Sequence, residues 1–265
     1  MSKIRIGHKS TQRQQRWFIG IMALLFIPCF FYLKFDLNQF TEGLHQIPHI
    51  ADMMMQMSFT QFPELMDGLL TSLIIAFLTV VISVVISFFL AFVIATNTAP
   101  VPILAKLIRA LIVIIRTIPV TIWVLLAVAS IGFGSMAGVL GLIFPTVAYL
   151  TRVFSDQIDE AGKDIIEAVK AVGGGWWNLM FNGVTPQLMT AFLASVAFNF
   201  EITVAETVIL GIVGAGGIGV LLQEYISFYD FKPLSLGILI VFFTLFLLEM
   251  TTNIIRLRLS GRNHK

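Results

Sequence analysis

The sequence predicts an all-α membrane protein of about six transmembrane helices with both termini cytosolic. Three observations predict it. Of 265 residues 57% are hydrophobic and only 12% charged, against about 25% charged in a soluble domain. The mean hydropathy is +0.91. Finally, six apolar stretches approach the ~20 residues that a helix needs to cross ~30 Å of hydrocarbon.

The stretches are Trp17–Leu33, Leu69–Ala95, Ala110–Ile131, Ala137–Val153, Leu188–Val213 and Leu234–Ile255. The first is basic at its start and apolar after it, so a signal peptide is an alternative. The bulky Phe30-Phe31-Tyr32-Leu33 that follows lacks a small-residue cleavage site and favours an uncleaved span. Gly132-Phe133-Gly134-Ser135-Met136 joins the third and fourth stretches as a tight hairpin. Pro119 and Pro145 are expected to interrupt these two spans. Between the first two spans, residues 35–67 read as an external, surface-lying linker, rich in methionine at Met53-Met54-Met55-Gln56-Met57.

Orientation follows from the basic residues. One side takes Lys3, Arg5, Lys9, Arg13, Arg16, Lys106, Arg109, Arg152, Lys163, Lys170, Arg256, Arg258, Arg262 and Lys265, and the other only Lys34 and Lys232. That asymmetry makes the first side cytosolic. The domain reading is residues 1–68 as basic tail, first span and external segment, 69–255 as a five-span core, and 256–265 as a basic cytosolic tail.

The scattered basic residues give no nucleic-acid stripe, so no nucleic acid is expected as a partner, only membrane lipid and a small-molecule substrate. Cys29 alone permits no internal disulfide. No catalytic residue and no metal site is expected. His8, His45, His49 and His264 all lie outside the spans, which argues against a membrane enzyme. His45 and His49 have metal-ligand spacing but no accompanying carboxylate pattern.

The longest cytosolic loop covers residues 155–186. Ile158, Ala161, Ile165, Val169 and Val172 are spaced as one face of an amphipathic helix. Asp159, Glu160, Lys163, Asp164, Glu167 and Lys170 form the other face, with favourable i,i+4 pairs. Gly173-Gly174-Gly175 ends that helix, Trp176-Trp177 opens a second short one, and Pro186 starts the next span. The knob so formed is either a protein contact or an interfacial hairpin with its tryptophans at the headgroups.

Gly214-Ala215-Gly216-Gly217-Ile218-Gly219 matches a dinucleotide-binding pattern in letters only. It follows a spanning helix and no strand. Gly214, Gly216, Gly217 and Gly219 instead suit a tight backbone re-entry or a close helix approach.

Ionisable groups inside the bilayer are costly and point to function. Glu201 with Asn199 and Thr203 is the candidate lining of a translocation path; a buried inter-helix hydrogen bond or a dimer contact is the alternative. Glu206 lies about 140° away on the same helix, so both glutamates cannot face one narrow stripe. Arg116 either snorkels to the cytosolic interface or pairs with Glu201 or Glu206. Glu249, near Asn253 and Arg256, reads as interfacial.

Glu167-Ala168, Gly173 six residues on and Pro186 thirteen beyond that resemble the cytoplasmic signature of ABC importer permeases. Val169, Gly183 and Thr185 depart from the usual pattern. Residues 65–255 are most similar to phosphonate-type importer permeases, through Gly132–Leu140, Gly183–Gln187, Phe200-Glu201 and Leu210–Gly219. Asn199 and Ala205 stand where that family often carries arginines. Methionine-importer permeases share the glycine segment, and Arg116-Thr117-Ile118-Pro119 resembles theirs.

The resemblance implies the type I ABC importer permease fold in a bacterial inner membrane. It also implies coupling to a separate ATPase through Glu167, Ala168, Gly173, Gly174, Trp176 and Pro186. The partners so implied are two ATPase subunits holding the ATP and Mg, an extracytoplasmic solute-binding protein and a second copy of the chain. The chain carries no Gly-x-x-x-x-Gly-Lys phosphate loop, so the ATP site is expected on the partner. A phosphonate or related phosphorus oxyanion is the expected cargo. A methionine or amino-acid permease is the alternative, followed by an ATP-independent ion-coupled carrier.

Overall fold

The computed structural model describes residues 9–34, 36–161 and 163–260, and every regular element among them is helical. Lys3, Arg5, His8, Arg262, His264 and Lys265 lie outside the described residues, as do the side chains of Lys9, Lys163, Asp164, Ile165, Lys170 and Arg258. The chain forms two units, Met1–Asp52 and Met53–Lys265.

The first unit holds α1 (Lys9–Tyr32), whose apolar side chains are exposed along its length, as suits a helix facing lipid. Lys34 ends it in the left-handed region, at φ 46°. Asp36 then caps α2 (Leu37–Met55): its Oδ1 accepts from the backbone N–H groups of Asn38 at 2.9 Å and Gln39 at 3.3 Å. The expected linker is thus a helix. Its apolar residues Leu37, Phe40, Leu44 and Ile47 recur every three to four positions, a period masked by the polar residues between them.

The second unit is built on α3 (Phe62–Ile94) and α6 (Ser135–Glu160), which run against each other over most of their length. Lipid tails are as apolar as leucine, so close backbone approach and inter-helix polar contacts must hold such a pair. The sequence supplies both. Ser72, Ala76, Thr79, Ser83, Ser87 and Ala91 form a buried small-residue stripe on α3, and Ser87 Oγ donates to Val147 O at 3.1 Å.

The third apolar stretch starts earlier than expected and is not one rod. It forms α4 (Pro102–Thr117) and α5 (Val120–Ile131), bent by 89°. Pro119 has no N–H to offer Ile115 O and forces Ile118 into extended geometry. The Trp123 indole N–H donates to the orphaned Ile115 carbonyl at 3.3 Å, so the break is satisfied internally. Pro145, by contrast, sits inside an unbroken α6 and does not interrupt it. Among the described residues five helices are long and apolar enough to span, or six with the bent pair counted as one.

Past Glu160 the chain forms α7 (Lys163–Ala171) and the short α8 (Trp176–Asn178). A π-helical turn, Leu179–Val184, leads into α9 (Thr185–Gly211), followed by α10 (Ile218–Ser227) and α11 (Phe231–Ser260).

Candidate functional site

Two places collect the residues that the sequence singles out. The first is the loop after α6. The amphipathic run expected over 158–172 is divided: Ile158 and Asp159 close α6, and α7 is a separate helix. Asp159 is bonded outside the loop; its expected pair with Lys163 involves a side chain outside the described residues. Its Oδ1 accepts from Thr96 Oγ1 at 2.6 Å and from Asn97 N at 3.2 Å, while Asn97 Nδ2 donates to Asp159 O at 3.0 Å. This clasp ties the end of α6 to the α3–α4 loop.

Ile166 and Val169 turn inward against Phe154, Ile158, Leu179 and Met180, whereas Val172, expected on that face, is 84% exposed. Glu167, Ala168 and Gly173 face outward with it. Gly173 has φ +76°, a left-handed end to α7. A Cβ on Gly174 would sit 2.6 Å from Val169 Cγ1 and 2.8 Å from Val169 O, so this position must stay bare. The two tryptophans differ. Trp176 is half-buried, its indole N–H donating to Thr98 O at 2.9 Å, while Trp177 stays 61% exposed and stacks on Phe181. Pro186 lies exposed in the first turn of α9. The loop is therefore a braced surface patch, with a fixed inner side and a bare outer one.

The second place is a cavity of about 290 Å³ at the α4–α5 bend, lined in part by Arg116, Pro119, Pro145, Thr146, Tyr149, Asn199 and Glu206. Arg116 occupies the last turn of α4, where the helix dipole favours a cation. Asn199, Ile202 and Glu206 follow one stripe of α9, which answers which glutamate faces this space. Asn199 is 5% exposed, and among the described residues its side-chain oxygen has no donor. Among the described residues Arg116 forms no ion pair.

The other path candidates lie elsewhere. Thr203 is fully buried, its hydroxyl returned to Asn199 O at 2.8 Å, and it does not line this cavity. Glu201 and Glu249 line a separate cavity of about 390 Å³ against α11, shared with Glu206. Sequence reasoning missed Thr146 and Tyr149. Their only signal is their place beside Pro145, opposite the bend.

The glycine segment closes the other end of the unit. Gly214, Gly216 and Gly217 have φ of +89°, +82° and +79°, a re-entry that side chains resist. Gly134 N donates to Gly214 O at 2.9 Å, and Ile218 N to Ser72 Oγ at 3.0 Å, so the turn is pinned to α3 and α6.

Comparison with known proteins adds to this geometry. Residues 87–262 match the family described as binding-protein-dependent transport system inner membrane component. The chain is 36% identical over 165 residues to the phosphate-import permease protein PhnE of Mycolicibacterium smegmatis, covering 62% of this chain but only 31% of that relative. It is 26% identical to the phosphite transport system permease protein PtxC of Stutzerimonas stutzeri, over 90% of this chain and 88% of the relative. The methionine import system permease protein MetP of Bacillus subtilis is 26% identical over 57% of this chain and 72% of its own length. In fold, the chain is similar to an inward-facing structure of the MetNI methionine ABC transporter, with TM-score 0.69, 18% identity, and coverage of 77% of this chain and 99% of that one.

Proposed function

This chain belongs to the family of binding-protein-dependent transport system inner membrane components, the permeases of ABC importers, and from that membership we propose how it works and what it carries. The cargo is a small phosphorus oxyanion, a phosphonate or a relative of one. Similarity to permeases named for phosphate and phosphite supports that reading, and so does a guanidinium at the wall of the bend cavity. The chain itself is the membrane permease. ATP and Mg sit on a separate ATPase, present in two copies beneath a homodimer of this chain, and an extracytoplasmic binding protein delivers the cargo. The assembly lies in a bacterial inner membrane with both termini of this chain cytoplasmic.

The observation that carries the mechanism is the braced loop after α6. Ile166 and Val169 fix α7 to the spanning helices, while Glu167, Ala168, Val172 and Gly173 remain outside for the ATPase. A push on that surface is transmitted through the Asp159 clasp and the Trp176 hydrogen bond into α3, α6 and α9. Closure of the two ATPases would thus rock the helices around the bend and open the path outward; hydrolysis would reset it.

The test is uptake into proteoliposomes containing this chain, its ATPase and its binding protein. ATP-dependent accumulation of methylphosphonate or phosphite, but not of methionine or glycine betaine, is expected. Methionine uptake with no phosphorus oxyanion uptake would overturn the cargo reading. Uptake driven by an ion gradient without ATP would overturn the machine.

A further inference from the structure

We propose that the groove between α3, α9 and α11 is a binding site for an anionic phospholipid, with an acyl chain in the groove and the headgroup phosphate on Arg256. The groove encloses about 630 Å³, and every residue of its lining is apolar. Phe77, Val81 and Val85 form one wall from α3, Leu193 and Ala197 another from α9, and Ile255 closes it from α11. Phe77, Val81, Val85 and Leu193 are themselves exposed, so the groove is open to the side. At about 100° per residue, its α9 wall points about 140° away from Asn199, Ile202 and Glu206, which line the bend cavity. The groove therefore opens on a different side of α9 from the bend. Left empty, it would forfeit the dispersion contacts of its lining.

Charge selects the occupant. Arg256 follows Ile255 at the rim, and its guanidinium lies over the Phe198 ring, 5.5 Å from the centroid. That contact holds the cation against α9 beside the groove. Among the described residues it forms no ion pair there. Two more guanidiniums stand near the same level of α9. Arg116 shares the bend cavity with Asn199, and Arg152 lies about one turn past Tyr149, which lines that cavity too. Basic residues gathered at one level of a helix bundle mark the headgroup plane. Of the three, Arg152 is paired with Asp156 at 2.9 Å and Arg116 borders the bend, which leaves Arg256 for the groove. Its planar fork matches two oxygens of a phosphate. Basic sites between spanning helices recruit anionic headgroups in this way. A lipid of net negative charge gains that contact without bringing a cation of its own.

The experiment is native mass spectrometry of the full chain in detergent, titrated with dioleoylphosphatidylglycerol or with dioleoylphosphatidylcholine. Wild type is expected to hold phosphatidylglycerol about tenfold more tightly, the effect of one charge-assisted hydrogen bond. Arg256→Gln is expected to lower phosphatidylglycerol to the level of phosphatidylcholine. Lys106→Gln, which removes an exposed cation elsewhere in the second unit, is expected to leave it unchanged. Ala197→Phe fills the groove and is expected to weaken both lipids; should it fail to fold, Val81→Phe is read in its place. Equal affinity of wild type for the two lipids would overturn the proposal. Equal losses in Arg256→Gln and Lys106→Gln would do the same, because they would reduce the preference to nonspecific charge. If the groove-filling variant keeps its lipid, the groove is not the site. If it keeps its lipid but loses its dimer, the groove belongs to a helix of a second copy and the proposal fails.

Discussion

Replacing Gly219 by alanine should loosen the end of the second unit that holds the glycine segment. A Cβ there would lie 1.9 Å from Val208 O and 3.0 Å from Gly211 Cα, with no flexible side chain to move aside. A carbon needs about 3.3 Å from a carbonyl oxygen, so α9 and α10 must part by roughly 1.4 Å. The bond from Ile218 N to Ser72 Oγ, now 3.0 Å, would break with that shift. Overpacking of this kind costs about 1–3 kcal/mol, and the lost hydrogen bond about 1 kcal/mol more. A total of about 2–4 kcal/mol lowers the melting temperature by roughly 5–15 °C for a domain of this size. The assay is thermal unfolding of the purified protein in detergent, followed by intrinsic tryptophan fluorescence. Gly43→Ala is the control, because nothing lies within 4 Å of its added Cβ and helix propensity improves. A Gly219→Ala melting temperature within 2 °C of the Gly43→Ala value, well under the roughly 5 °C floor, would refute the close approach of α9 and α10.

Three further outcomes are expected. Asp159→Ala should weaken the clasp on Thr96 and Asn97 by about 1–2 kcal/mol, read as faster protease cleavage within residues 155–186 with the spanning core intact. Gly173→Ala should cost only the left-handed strain, about 1–2 kcal/mol, since no atom lies within 4 Å of the new Cβ. Gly173→Leu should keep insertion yet lose co-purification of the ATPase; equal co-purification in both variants would contradict the docking role. Pro119→Ala restores an N–H for Ile115 O and about 3 kcal/mol of helix propensity. The bend should relax, with reduced uptake at unchanged or higher thermal stability.

The spans are legible in the sequence because the bilayer fixes their length and admits few charges. The break at Pro119 is legible as a kink but not as an 89° turn. That angle depends on Trp123 reaching back to Ile115 O, a contact eight residues apart that no periodicity announces. Pro145 shows the reverse: the same residue type leaves α6 unbroken, because α3 and α5 hold that helix on either side. In the loop, the apolar spacing of 158–172 resembles a single helix, yet α6 ends at Glu160 and Asp159 is bonded to the Thr96–Asn97 turn, 62 residues away. Glu206 stands out by its place in a span. Its sharing of a cavity with Arg116 is legible only as one of several alternatives, since it depends on the direction in which α4 leaves the bend. The glycine segment is legible as backbone crowding, because five glycines in nine positions remove the side chains that would hold two backbones apart.

Cysteine cross-linking between the loop after α6 and the ATPase tests the central claim most directly. The native Cys29 is exposed and is first replaced by serine. A cysteine is then placed at Val172, 84% exposed beyond α7, or at Phe133, 83% exposed at the opposite end of α6. With the reconstituted complex and a short thiol-specific cross-linker, Val172→Cys should link to the ATPase and Phe133→Cys should not. A link through Phe133→Cys, or none through Val172→Cys while the complex stays assembled, would contradict the account.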